Sequence, residues 1–224
     1  MLLPQPSTMS AKLIWITPQA EDQVVYCARV SNPKSQEQGD NPDRLVRYLI
    51  KHKHWSPFEM ASMCVGIETT RDVSTQILRH RSFSFQEFSQ RYSSVASNLK
   101  LDPSFELRLQ DPTNRQSSLP DAFGQLRHYR TQIEQLYEQA ETLYSSLLSA
   151  GCAKEVARKV LPIGSPTRLY MTGTIRSWIH YCLVRCGPET QKEHCLIAMA
   201  VWKILSEHCP NIASAVHELH HTTD

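Results

Sequence analysis

The longest periodic pattern in this chain lies between about residues 120 and 150. Apolar side chains recur there every three or four positions, which places them along one face of an α-helix. The members of this stripe are Leu126, Tyr129, Ile133, Tyr137, Ala140, Tyr144 and Leu147. Gly151 follows the last of them, and glycine commonly ends a helix. If continuous, this helix runs ~45 Å, a length that favours packing against a partner chain, with a kink as the alternative.

Shorter segments carry the period-two pattern of β-strands. Met63, Val65 and Ile67 alternate with small or polar residues, which predicts a half-buried strand. Residues 12–16 and 168–174 are also predicted to be strands. The other helical patterns cover residues 21–30, 45–52, 72–79, 175–185 and 188–207, and Pro210 is expected to stop the last of these.

Two connecting segments have distinctive compositions. Ser56, Pro57 and Glu59 have the spacing of a helix start, with serine as N-cap, proline in the first turn and glutamate completing a capping box. Residues 32–42 are rich in Asn, Pro, Ser, Gln and Gly, and are predicted to form a loop.

A few strands and several helices occur without regular βαβ alternation, and neither an internal repeat nor a domain linker is evident. This organisation predicts one α+β domain over residues 1–224. We expect a central, mostly antiparallel sheet flanked by long helices.

The composition narrows the function classes. Lys and Arg total 24 and Asp and Glu total 22, so the net charge of +2 disfavours a general nucleic-acid binder but allows a local anion site. Seven cysteines without a C-x-x-C pair argue against a disulfide framework and a four-cysteine zinc site. Neither a signal peptide nor a membrane-spanning run is evident, so we expect a soluble, cytoplasmic protein; Met1 and Met9 are alternative starts.

The residues best suited to chemistry lie between positions 76 and 92. Arg79, Arg81 and Arg91 accompany His80 and Glu87 there, together with several hydroxyl groups. Arginine recognises phosphate in a planar, bidentate manner, and serine hydroxyls complete such sites. A solvated basic surface is the alternative interpretation, but the four aromatic residues of the segment disfavour full exposure.

This segment resembles the signature of flavin-dependent thymidylate synthases, in which Arg-His-Arg is followed after seven residues by Ser. Here these are Arg79, His80, Arg81 and Ser89. Residues 28–31, 52–59, 155–162 and 176–193 are similar to further blocks of that family, so the resemblance spans about residues 28–193.

The resemblance implies a reaction, a cofactor and an assembly. Family members methylate C5 of dUMP to give dTMP. They take the carbon from 5,10-methylenetetrahydrofolate and the reducing equivalents from NADPH through FAD. They are homotetramers with sites at subunit interfaces, and the expected partners include neither nucleic acid nor membrane.

The resemblance also assigns residues to the substrate. Arg185 is expected to be catalytic, because it would face the uracil and stabilise negative charge at N3 and O2. Arg91 and Arg158 are the natural phosphate ligands. Ser89 is expected to hydrogen-bond dUMP rather than to act as a nucleophile. The full set of substrate residues is Gln76, Ile77, Leu78, Arg79, Glu87, Phe88, Ser89, Gln90, Arg91, Arg158 and Arg185.

A second set is assigned to FAD by the same resemblance. Thr174 and His180 stand where asparagines are expected in the family, although both side chains can hydrogen-bond a nucleotide. A surface or core histidine is an equally weighted interpretation of His180. The cofactor set is Ser31, His54, Ser56, Glu59, Arg79, His80, Arg81, Glu87, Thr174, Arg176 and His180.

Two other functions are weighed against this one. His217-Glu218-Leu219-His220-His221 satisfies the H-E-x-x-H pattern of zinc hydrolases, but only three residues follow it, and we expect no metal site. Phe83, Phe85 and Phe88 interleave with basic residues as in single-strand nucleic-acid binders, which the balanced charge disfavours.

Overall fold

A four-stranded antiparallel sheet forms the centre of the protein in a computed structural model, which describes residues 9–38, 42–94 and 101–221. Its spatial order is β1-β2-β6-β3. A separate hairpin consists of β4 and β5. The strands are β1 (Ser10–Ile16), β2 (Ser62–Thr70), β3 (Ser84–Glu87), β4 (Arg108–Gln110), β5 (Ser118–Pro120) and β6 (Pro166–Thr174). The predicted α+β class with an antiparallel central sheet is confirmed.

Helices surround this sheet. They are α1 (Ala20–Ala28), α2 (Pro33–Gln38), α3 (Pro42–Lys51), α4 (Arg71–Ile77), α5 (Arg130–Ser149), α6 (Lys154–Ala157), α7 (Ile175–Arg185), α8 (Lys192–His208) and α9 (Pro210–His221). Single turns of 3₁₀-helix occupy Ser56–Glu59, Arg127–Tyr129 and Arg158–Val160. Among the helices described, none has the length and apolar character needed to cross a membrane.

The central strands follow the predicted alternation. Met63, Val65 and Ile67 are completely buried on one face of β2, and Leu169 and Met171 of β6 are buried beside them. The Trp178 indole of α7 packs on this face and donates a hydrogen bond to the Met63 carbonyl at 2.9 Å. This contact anchors α7, the helix that carries the candidate cofactor residues Arg176 and His180 and the candidate catalytic residue Arg185, to the centre of the sheet.

The long helix is shorter than the sequence predicted. α5 begins at Arg130 rather than near residue 120, and at the usual rise per residue it is ~30 Å long. The preceding segment leaves the helical path because the Asp121 carboxylate accepts the backbone N–H groups of Gln125 and Leu126, both at 2.8 Å. The predicted end is confirmed: Gly151 adopts φ 84°, one residue beyond the C-cap Ala150.

Three other local predictions are wrong. Residues 33–38 form α2 instead of a loop, with Asn32 Oδ1 accepting the Ser35 N–H at the helix start. The Ser56–Glu59 turn is 3₁₀ rather than α-helical, and it has no side-chain cap. The helix predicted from residue 188 begins at Lys192. Pro210 both follows that helix and opens α9, as its fixed φ and missing N–H allow.

Candidate functional site

Two segments far apart in sequence meet where α4 and α7 end. His80 lies just after α4, where its N–H donates to the Ile77 carbonyl at 3.1 Å. Arg185 is the last residue of α7. The Arg185 Nε–H donates to His80 Nε2 at 3.0 Å, so the predicted catalytic arginine and the signature histidine are in direct contact.

The surroundings of His80 keep its imidazole neutral. Its ring lies edge-on to Tyr181, with 5.0 Å between centroids, and within 6.4 Å of Phe83 and 6.0 Å of His194. Burial, with the charges of Arg185 and His180, lowers the pKa of His80 to about 4. Because Nε2 accepts from Arg185, the ring proton of the neutral form is on Nδ1.

A cavity of about 430 Å³ lies beside the exposed face of α7. It brings together three predicted cofactor residues: Glu59, Arg176 and His180. Arg176 and Glu59 form an ion pair across it. The hydroxyls of Ser82 and Ser177 also line this cavity, although sequence reasoning did not select them. Arginine, histidine and hydroxyl groups are suited to hold a nucleotide.

Thr174 and Glu87, two further predicted cofactor residues, have protein partners. The Thr174 hydroxyl caps α7 by accepting the Ser177 N–H at 3.3 Å. Glu87, also predicted to contact substrate, accepts hydrogen bonds from the hydroxyls of Ser74 at 2.7 Å and Thr167 at 3.0 Å. Arg71 pairs with the same carboxylate oxygen at 3.0 Å. These contacts hold both residues in fixed orientations.

A second cavity, of about 550 Å³, contains two predicted substrate residues, Ser89 and Arg91. Lys154 at the start of α6 also lines it and donates to the Tyr92 carbonyl at 3.0 Å. Glu155 pairs with Arg91 at 3.5 Å. The two cations and the serine hydroxyl form an anion-binding group, of which sequence reasoning missed the lysine.

Gln76 belongs to a chain of polar contacts. Its amide donates to Gln191 Oε1 at 2.5 Å, and the Gln191 amide donates to Glu193 at 3.0 Å. Glu193 in turn forms a bidentate ion pair with Arg108, at 2.6 and 2.8 Å. Burial opposes ionisation of Glu193, but hydrogen bonds from Arg108 and Gln191 outweigh it and lower the carboxyl pKa.

The remaining predicted residues lie outside the described cavities and contact clusters, or at their edges. Ser31, His54, Ser56, Arg79 and Arg81 are exposed, and the His54 ring lies edge-on to Tyr48 at 5.9 Å. Ile77 and Gln90 are buried. Leu78, Phe88 and Arg158 are partly buried. The Nε–H of Arg158 donates to the Glu155 carbonyl at 3.4 Å.

The C-terminal H-E-x-x-H pattern gains little support. Glu218 pairs with Arg47 of α3, while the side chains of His220 and His221 lie outside the described residues. Across the part of the chain that the structure describes, no group of three or more His, Cys, Asp or Glu side chains is arranged to hold a metal ion.

Comparison with known proteins gives consistent matches along nearly the whole chain. The family model described as thymidylate synthase complementing protein matches residues 12–211. A protein of Paramecium bursaria Chlorella virus 1 named probable flavin-dependent thymidylate synthase is 45% identical, covering 93% of this chain and 99% of its own. A flavin-dependent thymidylate synthase of Synechocystis sp. is 46% identical, with coverages of 88% and 89%.

Solved structures agree with these sequence matches. The UMP/dUMP methylase PolB from Streptomyces cacaoi, crystallised with 5-Br dUMP, superimposes with a TM-score of 0.80 at 26% identity. The match covers 94% of this chain and 95% of that protein.

Proposed function

Because this chain belongs to the flavin-dependent thymidylate synthase family, we propose that it converts dUMP to dTMP by reductive methylation of C5. In this proposal 5,10-methylenetetrahydrofolate supplies the carbon, NADPH supplies the reducing equivalents, and FAD is the resident cofactor. The observation that carries the proposal is the Arg185–His80 contact, which aligns a guanidinium beside the family signature.

Arg185 supplies the electrostatic part of the reaction. Carbon–carbon bond formation at C5 requires electron density to move through the uracil ring, and negative charge develops at N3 and O2. A guanidinium aligned with those atoms stabilises the developing charge, and one such interaction typically contributes about 10²–10³-fold to kcat. Arg185 is therefore assigned as the catalytic residue.

The 5′-phosphate of dUMP is assigned to the cavity of Ser89, Arg91 and Lys154. Two cationic groups and a hydroxyl match the charge and acceptor oxygens of a phosphate. The Arg91–Glu155 ion pair is highly exposed, with more than half of each side chain accessible, so a dianionic phosphate can replace Glu155 at little cost. Arg158 lies next to this cavity through its contact with Glu155.

FAD is assigned to the cavity beside α7. Its donor set of Ser82, Arg176, Ser177 and His180 fits the phosphates and adenosine of a dinucleotide. When bound, FAD supplies the redox chemistry that converts the transferred carbon to a methyl group. The protein residues bind and orient the reactants around it.

We also assign a homotetramer and a cytoplasmic location to the protein. On α5, Leu136 is 58% exposed and Leu143 is 50% exposed, seven positions apart and therefore on one face. This face is suited to packing against another subunit. Seven free cysteines fit a reducing compartment.

The test combines three measurements on purified protein: the flavin absorbance spectrum, dUMP-dependent NADPH oxidation, and dTMP formation by chromatography. Omission of the folate must abolish dTMP formation. Arg185→Ala is expected to lower dTMP formation by about 10²-fold or more while FAD stays bound. Arg168→Ala is the matched control, because Arg168 is an exposed sheet residue paired with Glu68. Near-parental activity of Arg185→Ala would overturn the assignment.

A further inference from the structure

Arg185 differs from the ion-paired arginines of the described residues because its side-chain partner is a neutral imidazole. Where both partners lie in the described ranges, six arginines form ion pairs with carboxylates: Arg47, Arg71, Arg91, Arg108, Arg168 and Arg176. Arg185 instead donates its Nε–H to the imidazole of His80, and within the described residues no carboxylate lies at ion-pair distance from it.

The identity of the partner changes what the guanidinium can do. A carboxylate holds an arginine firmly but offsets its positive charge. A neutral acceptor fixes the direction of the Nε–H and leaves the full charge available to a substrate. For a group that stabilises negative charge developing on uracil, orientation without neutralisation is the more effective arrangement.

The structure enforces the neutral state of that acceptor. The His80 ring lies edge-on against Tyr181, a residue that is completely buried and hydrogen-bonded to His194 at 3.1 Å. Phe83 lies edge-on to the same ring at 6.4 Å. A protonated imidazole would have to lose solvation among these rings and face the adjacent guanidinium, which disfavours the charged form.

We propose that His80 is a positioning residue, which orients the Arg185 guanidinium toward the uracil of dUMP as a neutral hydrogen-bond acceptor and preserves its charge. The inference rests on the proposed function. It differs from the role in FAD binding that the family resemblance implies for His80. Here the ring acts through Nε2, which accepts the hydrogen bond from Arg185, and it affects the chemical step.

Three substitutions of His80 test separately whether residue 80 must accept a hydrogen bond and whether it must be neutral. His80→Gln supplies a neutral amide oxygen at about the reach of Nε2. His80→Phe keeps an aromatic ring in the cluster and removes the acceptor. His80→Glu supplies an acceptor that carries negative charge. His208→Gln, at an exposed position on α8, is the control for replacing a histidine.

The three variants are expected to differ in kcat. His80→Gln should keep kcat for dTMP formation within about 10-fold of the parent, whereas His80→Phe and His80→Glu should lose about 10²-fold. KM for dUMP should change much less than kcat, because the lost interaction is made in the transition state. FAD content, measured by absorbance, should stay equal to that of the parent.

Several results would overturn this inference. They are parental kcat in His80→Phe, kcat in His80→Glu equal to or above that of His80→Gln, or loss of FAD in proportion to loss of activity. Crystal structures of the variants test the contact without turnover: Arg185 should keep its position in His80→Gln and shift in His80→Phe. A parent protein that forms no dTMP would refute the proposed function, while these structures would still decide whether His80 positions Arg185.

Discussion

Replacement of His194 by glutamine should make the stability of this protein less sensitive to acid. His194 is completely buried on α8, its Nε2 is hydrogen-bonded to Tyr181, and its Nδ1 has no partner among the described protein atoms. Burial, followed by the charges of Arg185 and His80, lowers its pKa from the ordinary 6.5 to about 3. The ring is therefore neutral in the folded protein throughout the range in which an unfolded chain takes up a proton.

The sign and size of the effect follow from proton linkage. Because the folded pKa is depressed, the unfolded state binds more protons as the pH falls below 6.5, and the free energy of unfolding decreases. Between about pH 7.5 and about pH 5.5, this one group should remove ~1.4 kcal/mol. Carboxylates with lowered pKa values, such as Glu193, reduce the free energy of unfolding only at more acidic pH.

Urea unfolding curves at the two pH values measure this difference directly. His194→Gln removes the titrating group and keeps an amide able to hydrogen-bond Tyr181. Between the two pH values, its free energy of unfolding should therefore fall by ~1.4 kcal/mol less than that of the parent. His208→Gln, exposed on the same helix, should behave like the parent. Protein concentration must be held constant, because the proposed subunit association would contribute to stability. An equal acid-induced loss of stability in the parent and in His194→Gln would show that His194 is not the group responsible.

Two substitutions at the sheet–helix contact should also have defined effects on stability. Gly173→Ala should destabilise by about 1–3 kcal/mol in urea unfolding, because the new Cβ would lie 2.5 Å from the Phe83 ring. Gly187→Ala is the control, because a Cβ there meets nothing within 4 Å. Its free energy of unfolding should lie within about 0.5 kcal/mol of the parent. Equal destabilisation by both substitutions would contradict the steric explanation. Trp178→Phe removes the indole donor to the Met63 carbonyl, which keeps a longer hydrogen bond from the Thr172 hydroxyl at 3.3 Å. The thermal midpoint should fall, at a cost of about 0.5–1.5 kcal/mol, and an unchanged midpoint would count against the indole bond.

The parts of the fold predicted correctly are those fixed by local patterns. The alternation in β2 reports burial on one face of a sheet, and the strand is found where it was predicted. α7 matches its predicted bounds because Thr174 supplies a local cap and Gly187 follows the last turn. These signals require only near neighbours in the sequence.

The wrong boundaries arose where a side chain competed with the periodic pattern. Apolar spacing continued upstream of Arg130, but the Asp121 carboxylate captures backbone N–H groups and turns the chain out of helix. Pro188 predicts a helix start, whereas α8 begins at Lys192. Proline at a first turn is permitted rather than required, so its presence alone did not locate the boundary.

The site depended on contacts that no local pattern contains. The Arg79-His80-Arg81 signature identified the family, but the hydrogen bond between His80 and Arg185 joins residues 105 positions apart. Lys154 approaches Tyr92 across 62 positions. Both contacts form only when segments distant in sequence come together in the folded chain. The sequence therefore indicated which residue types take part, while their partners required the folded structure.

We propose that this chain builds the methyl group of dTMP on C5 of dUMP, with Arg185 as the catalytic residue. Mass spectrometry of the nucleotide product, formed with deuterated methylene on the folate, tests it most directly. We expect dTMP that is heavier by the mass of the label, in a reaction that needs FAD-containing protein and NADPH and is strongly slowed in Arg185→Ala. Unchanged dUMP after incubation with FAD-loaded protein and all three reactants would contradict it.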